Sequence, residues 1–305
     1  MRQTASAALA AVVLAVAAVT VVTAIVLTGS FLRDVAGARR PASAAAVGAR
    51  AAAPFSGEVV RRLDGLIASF PGTAGVWIAD PVASTPLYTH AAETPGASAS
   101  LYKVGVLFEA ERRVESGELR YADVVTIAED DVSEQGSVYE AGAVITVDAA
   151  LEAMITISDN GAALALWHRL GGDAMEASLA RAGLGGLHVT LDANGDTLAT
   201  PRAIGTFFRL VARRELVSLA ASERMLARLE RQKINDRLPA ALPAGVIVAH
   251  KTGNLTGVIH DAGIIVTPSG PRVVVVMTWG ADALANKLIA AIGATVYDAS
   301  LAVGR

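Results

Sequence analysis

The sequence has no cysteine, which excludes disulfide bonds, thiolate nucleophiles and zinc sites built on cysteine. Aromatic residues make up only 5 % of the chain and the net charge is -3, a composition that argues against nucleic-acid binding. Lysine is also scarce, because only four of the 26 basic residues are lysines: Lys103, Lys233, Lys251 and Lys287. Arginine stays protonated in proteins, whereas a buried lysine can lose its proton. Each lysine is therefore a candidate for chemistry that arginine cannot perform.

The N-terminal region contains a long apolar run. Residues 7–27 carry no charge and would reach about 31 Å as a helix, enough to cross the hydrocarbon core of a bilayer. We interpret residues 1–33 as a signal peptide or a membrane anchor, and both interpretations stay open. Residues 34–54 are rich in alanine and are typical of a disordered tether. We expect one folded domain over residues 55–305.

The order of strand and helix patterns in this domain indicates a fold. Two strands follow the first helix, three strands precede the last helix, and the stretches between them are helical, including 162–181 and 201–231. We predict an α+β fold with an antiparallel sheet from both chain ends, terminal helices flanking it and an inserted all-helical lobe. The predicted strands are 72–80, 86–92, 245–253, 261–268 and 272–280, and the predicted terminal helices are 56–70 and 283–302.

Two of the four lysines lie next to hydroxyl groups in the sequence. Ser100 and Lys103 begin a predicted helix, where a spacing of three puts hydroxyl and amine on one face with Cβ atoms about 5 to 6 Å apart. A neutral lysine can take the proton of a serine, and a helix N-terminus favours a nearby oxyanion. Lys251 precedes Thr252 and Gly253 on a predicted strand, where glycine leaves room for another backbone, such as that of a substrate.

A third polar motif, Ser158-Asp159-Asn160, follows the apolar stretch MITI. Taken alone, each motif has an ordinary explanation as a capped helix end or a strand that ends in a turn. The three together, in this order, are far more specific. With the stretches SFPGTAGVWIAD and HKTGNLTGVIHDAGII, the sequence resembles the class A β-lactamases and related penicillin-recognising serine enzymes over about residues 55–305.

This resemblance implies catalytic roles for four residues. Ser100 would be the acylated nucleophile, Lys103 its general base, and Ser158 the group that passes a proton to the leaving nitrogen. Lys103 is expected to be the more buried amine and therefore neutral, while Lys251 would remain a positive charge.

The resemblance also implies how a substrate is held. Asn160 would bind the substrate amide, and Lys251 and Thr252 would bind its carboxylate on the strand that continues through Gly253. The N–H groups of Ser100 and Asn254 would form the oxyanion hole. The implied substrates are β-lactams or peptidoglycan stem peptides, and no cofactor is implied.

The sequence departs from the family at the residues that hydrolyse the acyl-enzyme. Class A enzymes use a glutamate in a Glu-x-x-Leu-Asn pattern, oriented by an asparagine whose position here is Leu164. Residues 183–201, where that glutamate is expected, contain no glutamate. His188 is a candidate replacement, because an imidazole with a pKa of about 6.5 can activate water. Asp192 and Asp196 are weaker candidates because they are typical of a turn.

Two further histidines, His250 and His260, do not indicate a metal site. His250 and His260 lie on predicted neighbouring strands without a third ligand, and we expect no bound metal. Asp261 is expected to support strand packing.

The leading hypothesis is an exported serine hydrolase, periplasmic or extracellular, that β-lactams acylate at Ser100 and that deacylates slowly. A D-alanyl-D-alanine carboxypeptidase or transpeptidase, and a membrane-anchored sensor of β-lactams or muropeptides, stay open as alternatives. We expect a monomer that contacts the membrane through its N-terminal segment.

Overall fold

The computed structural model describes residues 53–132 and 136–301. The predicted signal peptide or anchor at 1–33 lies outside these residues, as does nearly all of the predicted tether at 34–54. Within the described part of the chain, no helix is both long enough and apolar enough to span a membrane.

A five-stranded antiparallel sheet lies at the centre of the fold. Its strands are β1 (Thr73–Ala79), β2 (Tyr88–His90), β8 (Val248–Leu255), β9 (Val258–Thr267) and β10 (Gly270–Trp279). The spatial order is β2-β1-β10-β9-β8, and β1 pairs with β10 from Thr73 opposite Trp279 to Ala79 opposite Val273. The prediction of an antiparallel sheet formed from both chain ends is confirmed.

The terminal helices α1 (Gly57–Ala68) and α8 (Asp282–Leu301) pack on one face of this sheet. Ser56 caps the N-terminus of α1, because its side chain accepts a hydrogen bond from the N–H of Val59. Leu63 of α1 and Ile289 of α8 are fully buried with alternate residues of the sheet, such as Val76 and Val274. This packing confirms the predicted flanking helices and leaves the other face of the sheet to the inserted lobe.

The inserted lobe covers that other face with a second apolar core, which includes Trp77, Val275 and Phe207. Its helices are α2 (Lys103–Ser116), α3 (Val147–Thr156), α4 (Asn160–Leu170), α5 (Gly172–Arg181), α6 (Pro201–Arg213) and α7 (Leu219–Leu229).

Two of the predicted helices are each divided in two. Segment 162–181 contains α4 and α5, separated at Gly171, and segment 201–231 contains α6 and α7. Arg214 ends α6 in a left-handed conformation with φ 58°, and the side chain of Ser218 caps α7 by accepting from Ala221 N–H. The sequence prediction gave these segments as helical without marking the breaks, although Gly171 and Gly172 lie at the first of them.

The lobe also contains two small sheets, so it differs from the all-helical lobe that the sequence predicted. One consists of β4 (Val124–Thr126) and β5 (Val144–Thr146). The other has the order β3-β7-β6, from β3 (Gly96–Ala97), β6 (Leu187–Leu191) and β7 (Thr197–Ala199). Strands of two or three residues are too short to give an alternating pattern. In the stretch 183–201, where the sequence departs from the family, residues 187–191 and 197–199 belong to this second sheet.

Candidate active site

Ser100 lies in a short 3-10 helix, Ala99–Tyr102, which connects β3 to α2. Ala99 has a positive φ of 46°, a left-handed conformation that residues other than glycine rarely adopt. The tight turn carries Ser100 to the wall of a cleft of about 810 Å³. Five further polar residues line this cleft, of which all but Arg237 were predicted from the sequence: Ser158, Asn160, Arg237, Thr252 and Asn254.

Lys103 is fully buried beneath the cleft. Its Nζ lies 2.6 Å from both the backbone oxygen of Ser158 and Oδ1 of Asn160, and 3.3 Å from Oγ of Ser158. Burial lowers the pKa of Lys103 to about 7, although the charge of Asp159 acts in the opposite direction. The amine can therefore lose its proton near neutral pH while staying within reach of a hydroxyl.

Ser158 occupies the gap between α3 and α4, with a left-handed backbone at φ 62°. Its Oγ lies 3.3 Å from Nζ of Lys103 and 2.8 Å from Nζ of Lys251. The strained backbone of the motif thus holds one hydroxyl between two amines. Strain of this kind persists where the surrounding structure fixes it, often at functional sites.

Asp159 fixes the backbone around Ser158. It is 3 % exposed, and its carboxylate accepts hydrogen bonds from Ala162 N–H at 2.7 Å, Val138 N–H at 2.6 Å and the Ser137 hydroxyl at 3.1 Å. The first of these caps α4, and the other two hold the opposite wall of the cleft. The ordinary interpretation of this motif, a capped helix end, therefore applies to Asp159.

Lys251 lies on β8, where its Nζ donates to Oγ of Ser158 and to the backbone oxygen of Thr252, both at 2.8 Å. Burial lowers the pKa of Lys251 well below its ordinary value, and the nearby charge of Lys103 lowers it further. Both amines are fully buried and the pKa of each is lowered, so neither the expectation that Lys103 is the more buried nor the expectation that Lys251 alone keeps its charge is supported. Because the two amines repel each other's charge, they lose and gain protons as a pair.

Gly253 allows β8 to approach the segment that carries Ser100. A Cβ on Gly253 would lie 3.1 Å from the backbone oxygen of Ser98 and 3.3 Å from Cβ of Ala99. The sequence predicted that this glycine makes room for a second backbone. In the structure, the backbone that approaches is the chain's own, just before Ser100.

Arg237 is a cleft residue that the sequence analysis missed. It is 4 % exposed, and its guanidinium donates to the backbone oxygen atoms of Gly253 and His260 at 2.9 and 2.8 Å and to Oδ1 of Asn254 at 2.9 Å. Arg237 comes from the segment before β8 and lies outside the three motifs from which the site was predicted. The stretch INDRLPAALPAG, which contains it, was the available signal.

The model of the beta-lactamase enzyme family matches residues 58–300. The chain belongs to this family. Among similar solved structures, a β-lactamase from Sphaerobacter thermophilus is 25 % identical with a TM-score of 0.72, over 79 % of this chain and 97 % of that chain. PBP-A is 25 % identical with a TM-score of 0.74, over 81 % and 98 %. An ancestral class A β-lactamase is 27 % identical with a TM-score of 0.72, over 79 % and 99 %. Comparison with curated protein sequences gives no match.

Family membership makes the chain a β-lactamase-like serine hydrolase, and it confirms the resemblance predicted from the three motifs.

The cleft of this enzyme, as far as the described residues define it, has a single carboxylate, that of Asp159. Three protein donors already occupy the oxygen atoms of that group. Asp192 and Asp196 form the turn of the β6–β7 hairpin, where Asp192 Oδ1 accepts from the N–H of Asn194 and of Asp196.

His188 does not lie in the cleft of this β-lactamase-like enzyme. Its neighbours Leu187 and Val189 on β6 are buried, so alternation along the strand turns His188 outward, where its side chain is 46 % exposed. Its Nδ1 lies 3.1 Å from Oε2 of Glu176. His188 is therefore not placed to activate water in the cleft, contrary to the prediction.

His250 and His260, the two histidines on neighbouring strands, belong to separate networks. His250 Nδ1 lies 2.8 Å from Oδ1 of Asp261, and His260 Nε2 lies 2.9 Å from the backbone oxygen of Ala97. Asp261 also accepts from Leu238 N–H at 3.0 Å, which attaches the segment before β8 to β9. No group of three or more potential metal ligands occurs in residues 53–132 and 136–301.

Proposed function

We propose that this protein is an active-site serine hydrolase that β-lactams acylate at Ser100. The observation that carries the proposal is the Ser158 hydroxyl, which lies between the buried amines of Lys103 and Lys251 beside the cleft that Ser100 lines. Such an arrangement supplies a base of suitable pKa and a path for a proton.

In the acylation step, the neutral amine of Lys103 takes the hydroxyl proton of Ser100. Oγ of Ser100 bonds to the lactam carbonyl carbon, and the N–H groups of Ser100 and Asn254 stabilise the oxyanion. The carbon–nitrogen bond then breaks. A proton returns from the ammonium of Lys103 through the hydroxyl of Ser158 to the leaving nitrogen, so that the enzyme differs from its starting form only by the acyl group on Ser100.

The substrate is held by groups on both sides of the cleft. Asn160, whose Oδ1 is fixed by Lys103, binds the substrate amide. Lys251 and Thr252 bind the carboxylate, and the positive charge of Arg237 at the same end of the cleft adds to the attraction for an anion.

Hydrolysis of the acyl-enzyme is slow in this proposal. The carboxylate of Asp159 is committed to three hydrogen bonds, and His188 faces away from the cleft. Without a positioned general base for water among the described residues of the cleft, the rate falls by about 10² to 10⁴.

The absence of a free carboxylate from the described cleft also favours a second candidate, a D-alanyl-D-alanine carboxypeptidase or transpeptidase. In a transpeptidase an amine acceptor attacks the acyl-enzyme and brings its own nucleophile. A mutant of the similar protein PBP-A has been solved as an acyl-enzyme complex with penicillin G.

The third candidate is a membrane-anchored sensor, in which a stable acyl-serine is the signal. It rests on the same slow step and on the apolar segment at 1–33.

Intact-protein mass spectrometry with penicillin G tests the proposal. We expect the mass of one penicillin on the unmodified protein and none on Ser100→Ala, with Ser116→Ala, a serine at the far end of α2, as the matched control that still forms the adduct. An adduct on Ser100→Ala would show that another residue is the nucleophile.

The lifetime of the adduct separates the candidates. Clearance within minutes supports a β-lactamase, and persistence for hours contradicts efficient hydrolysis. Release of D-alanine from a stem peptide identifies the peptidase. We further propose that the protein is exported and monomeric, which fractionation of cells and light scattering would test.

A further inference from the structure

Two ring N–H groups converge on one backbone carbonyl near the nucleophile. The oxygen of Ala97, three residues before Ser100, lies 2.9 Å from Nε2 of His260 and 3.1 Å from Nε1 of Trp279. The two rings also contact each other edge to face, with centroids 5.2 Å apart. His260 lies on β9 and Trp279 on β10, so this contact joins the central sheet to the segment that leads to Ser100.

The surroundings of His260 select one neutral tautomer. The N–H of Thr278 donates to Nδ1 at 3.0 Å, so Nδ1 has to be an acceptor and the ring proton lies on Nε2, where it is donated to Ala97. Burial lowers the pKa of His260 to about 4, and the charge of Arg237, whose guanidinium donates to the backbone oxygen of His260, acts in the same direction. The neutral ring persists over the usual working range of pH.

The carbonyl that these rings hold belongs to a strained turn. On its other side, the same segment is held by β7, because Ser98 N–H donates to the oxygen of Thr197 at 2.8 Å and the two side-chain hydroxyls are 2.8 Å apart. Ala99 follows with its left-handed backbone, and Ser100 comes next. A left-handed alanine is strained and persists only where neighbouring contacts fix it.

We infer that His260, assisted by Trp279, is a positioning residue for the nucleophile: its Nε2–H holds the Ala97 carbonyl, and thereby the strained turn that sets the place of the Ser100 hydroxyl and N–H. This inference rests on the proposed role of Ser100. It assigns to His260 an effect on the acylation step and not on binding of the β-lactam, because His260 itself does not line the cleft.

Two substitutions of His260 separate positioning from simple packing. His260→Gln keeps an N–H donor at about the reach of Nε2, whereas His260→Asn keeps an acceptor at about the position of Nδ1 and loses the donor to Ala97. Penicillin G acylation is followed at a series of concentrations, which gives the maximal rate constant and the dissociation constant of the non-covalent complex. Thermal unfolding of each variant is measured alongside.

We expect the maximal acylation rate of His260→Asn to fall by about 10- to 100-fold, with the dissociation constant changed by less than about 3-fold, because only the position of the reacting atoms changes. His260→Gln should remain within about 3-fold of the unmodified protein. Equal losses of rate in both variants would overturn the inference, since packing alone would then explain them.

Trp279→Phe provides a second test that does not depend on the folding of His260→Asn. It removes the other donor to the same carbonyl, from a half-buried position, and we expect the maximal rate to fall by about 3- to 10-fold. An unchanged rate would overturn the inference. If the unmodified protein forms no adduct at Ser100, the proposed function fails as well; if it does and the Asn and Gln variants behave alike, only the role of His260 fails.

Discussion

Lys103 and Lys251 lie on either side of the Ser158 hydroxyl, both fully buried, and burial lowers the pKa of each. A pair of this kind is more stable with one amine protonated than with both, because the charge on one ammonium makes protonation of the other less favourable. The site therefore contains a base and a positive charge made from the same residue type. Arginine would keep both groups charged, which explains why lysines occur here in a chain rich in arginine.

Replacement of Lys103 by arginine tests this reasoning at the scale of one residue. We expect Lys103→Arg to lower the rate of acylation by more than about 10³-fold at every pH, because the guanidinium cannot take the proton of Ser100. The control is Lys287→Arg, the same change at an exposed lysine of α8, which should leave the rate unchanged. Acylation is measured as the rate of adduct formation by mass spectrometry. Comparable rates in the two variants would exclude Lys103 as the base.

The polar residues of the site were predictable from sequence because their types and order are distinctive. Ser100, Ser158, Asn160, Thr252 and Asn254 all line one cleft. The relative burial of the two lysines was not predictable, since it depends on which side chains pack above each amine. Arg237 was missed because it lies outside the three motifs, and only the path of the chain before β8 brings its side chain to the cleft.

At the scale of elements, β8 and the 3-10 helix at Ala99–Tyr102 approach each other at Gly253. A methyl group there would be 3.1 Å from the oxygen of Ser98, a distance that requires the turn before Ser100 to shift by a few tenths of an ångström. The contact links the strand of Lys251 to the nucleophile, so it is sensitive to even a small side chain.

We expect Gly253→Ala to lower the rate of acylation by about 10- to 100-fold, because a small displacement of the nucleophile has a large effect on rate. The matched control is Gly65→Ala on α1, where a Cβ would have no neighbour within 4 Å. That variant should retain its rate and gain slightly in stability. A Gly253→Ala enzyme with normal acylation would show that the approach of the two elements is not critical.

The elements could be predicted in proportion to their length. The strands β8, β9 and β10 gave clear patterns because they contribute residues to both apolar cores, and the terminal helices did so because each has one face in an apolar core. The β6–β7 hairpin was not predicted, since its pairing shifts register between Leu187 and Leu191 and β7 has only three residues. This hairpin also explains why His188 is exposed, because alternation along β6 turns its side chain outward.

At the scale of the whole molecule, burying two lysines lowers stability near neutral pH. The pKa of Lys103 is about 7 in the folded protein and about 10.5 when unfolded. The folded state therefore binds fewer protons between these values, and stability falls as the pH drops from about 10.5 towards 7. Lys251 acts in the same direction. Tyr88 and Tyr121, whose pKa values are raised by burial, act oppositely only above about pH 10.

We therefore expect the free energy of unfolding to rise by about 3 kcal/mol between about pH 7 and about pH 9.5, because the cost of keeping Lys103 neutral disappears there. Urea denaturation at several pH values measures this slope. Lys103→Met removes one of the two titrating amines and should make the curve shallower, leaving the part due to Lys251, whereas Lys287→Met should leave the curve unchanged. A flat curve for the unmodified protein would indicate that Lys103 stays protonated when folded.

The overall architecture was predictable because strand and helix patterns occur at both chain ends and a sheet has to pair its central strands. β1 and β10 are far apart in sequence, yet they are neighbours in the sheet and pair from Thr73 opposite Trp279 to Ala79 opposite Val273. The two small sheets of the lobe were not predictable, since their pairings are short and depend on how the helices bring them together.

The most direct test of the central claim is the pH dependence of the acylation rate constant of Ser100 with penicillin G, measured by rapid-quench mass spectrometry. If a neutral Lys103 is the base, the rate constant rises with pH through an apparent pKa of about 7, in agreement with the lowered pKa of that amine. A rate constant that stays level from about pH 5 to about pH 9 would contradict the mechanism.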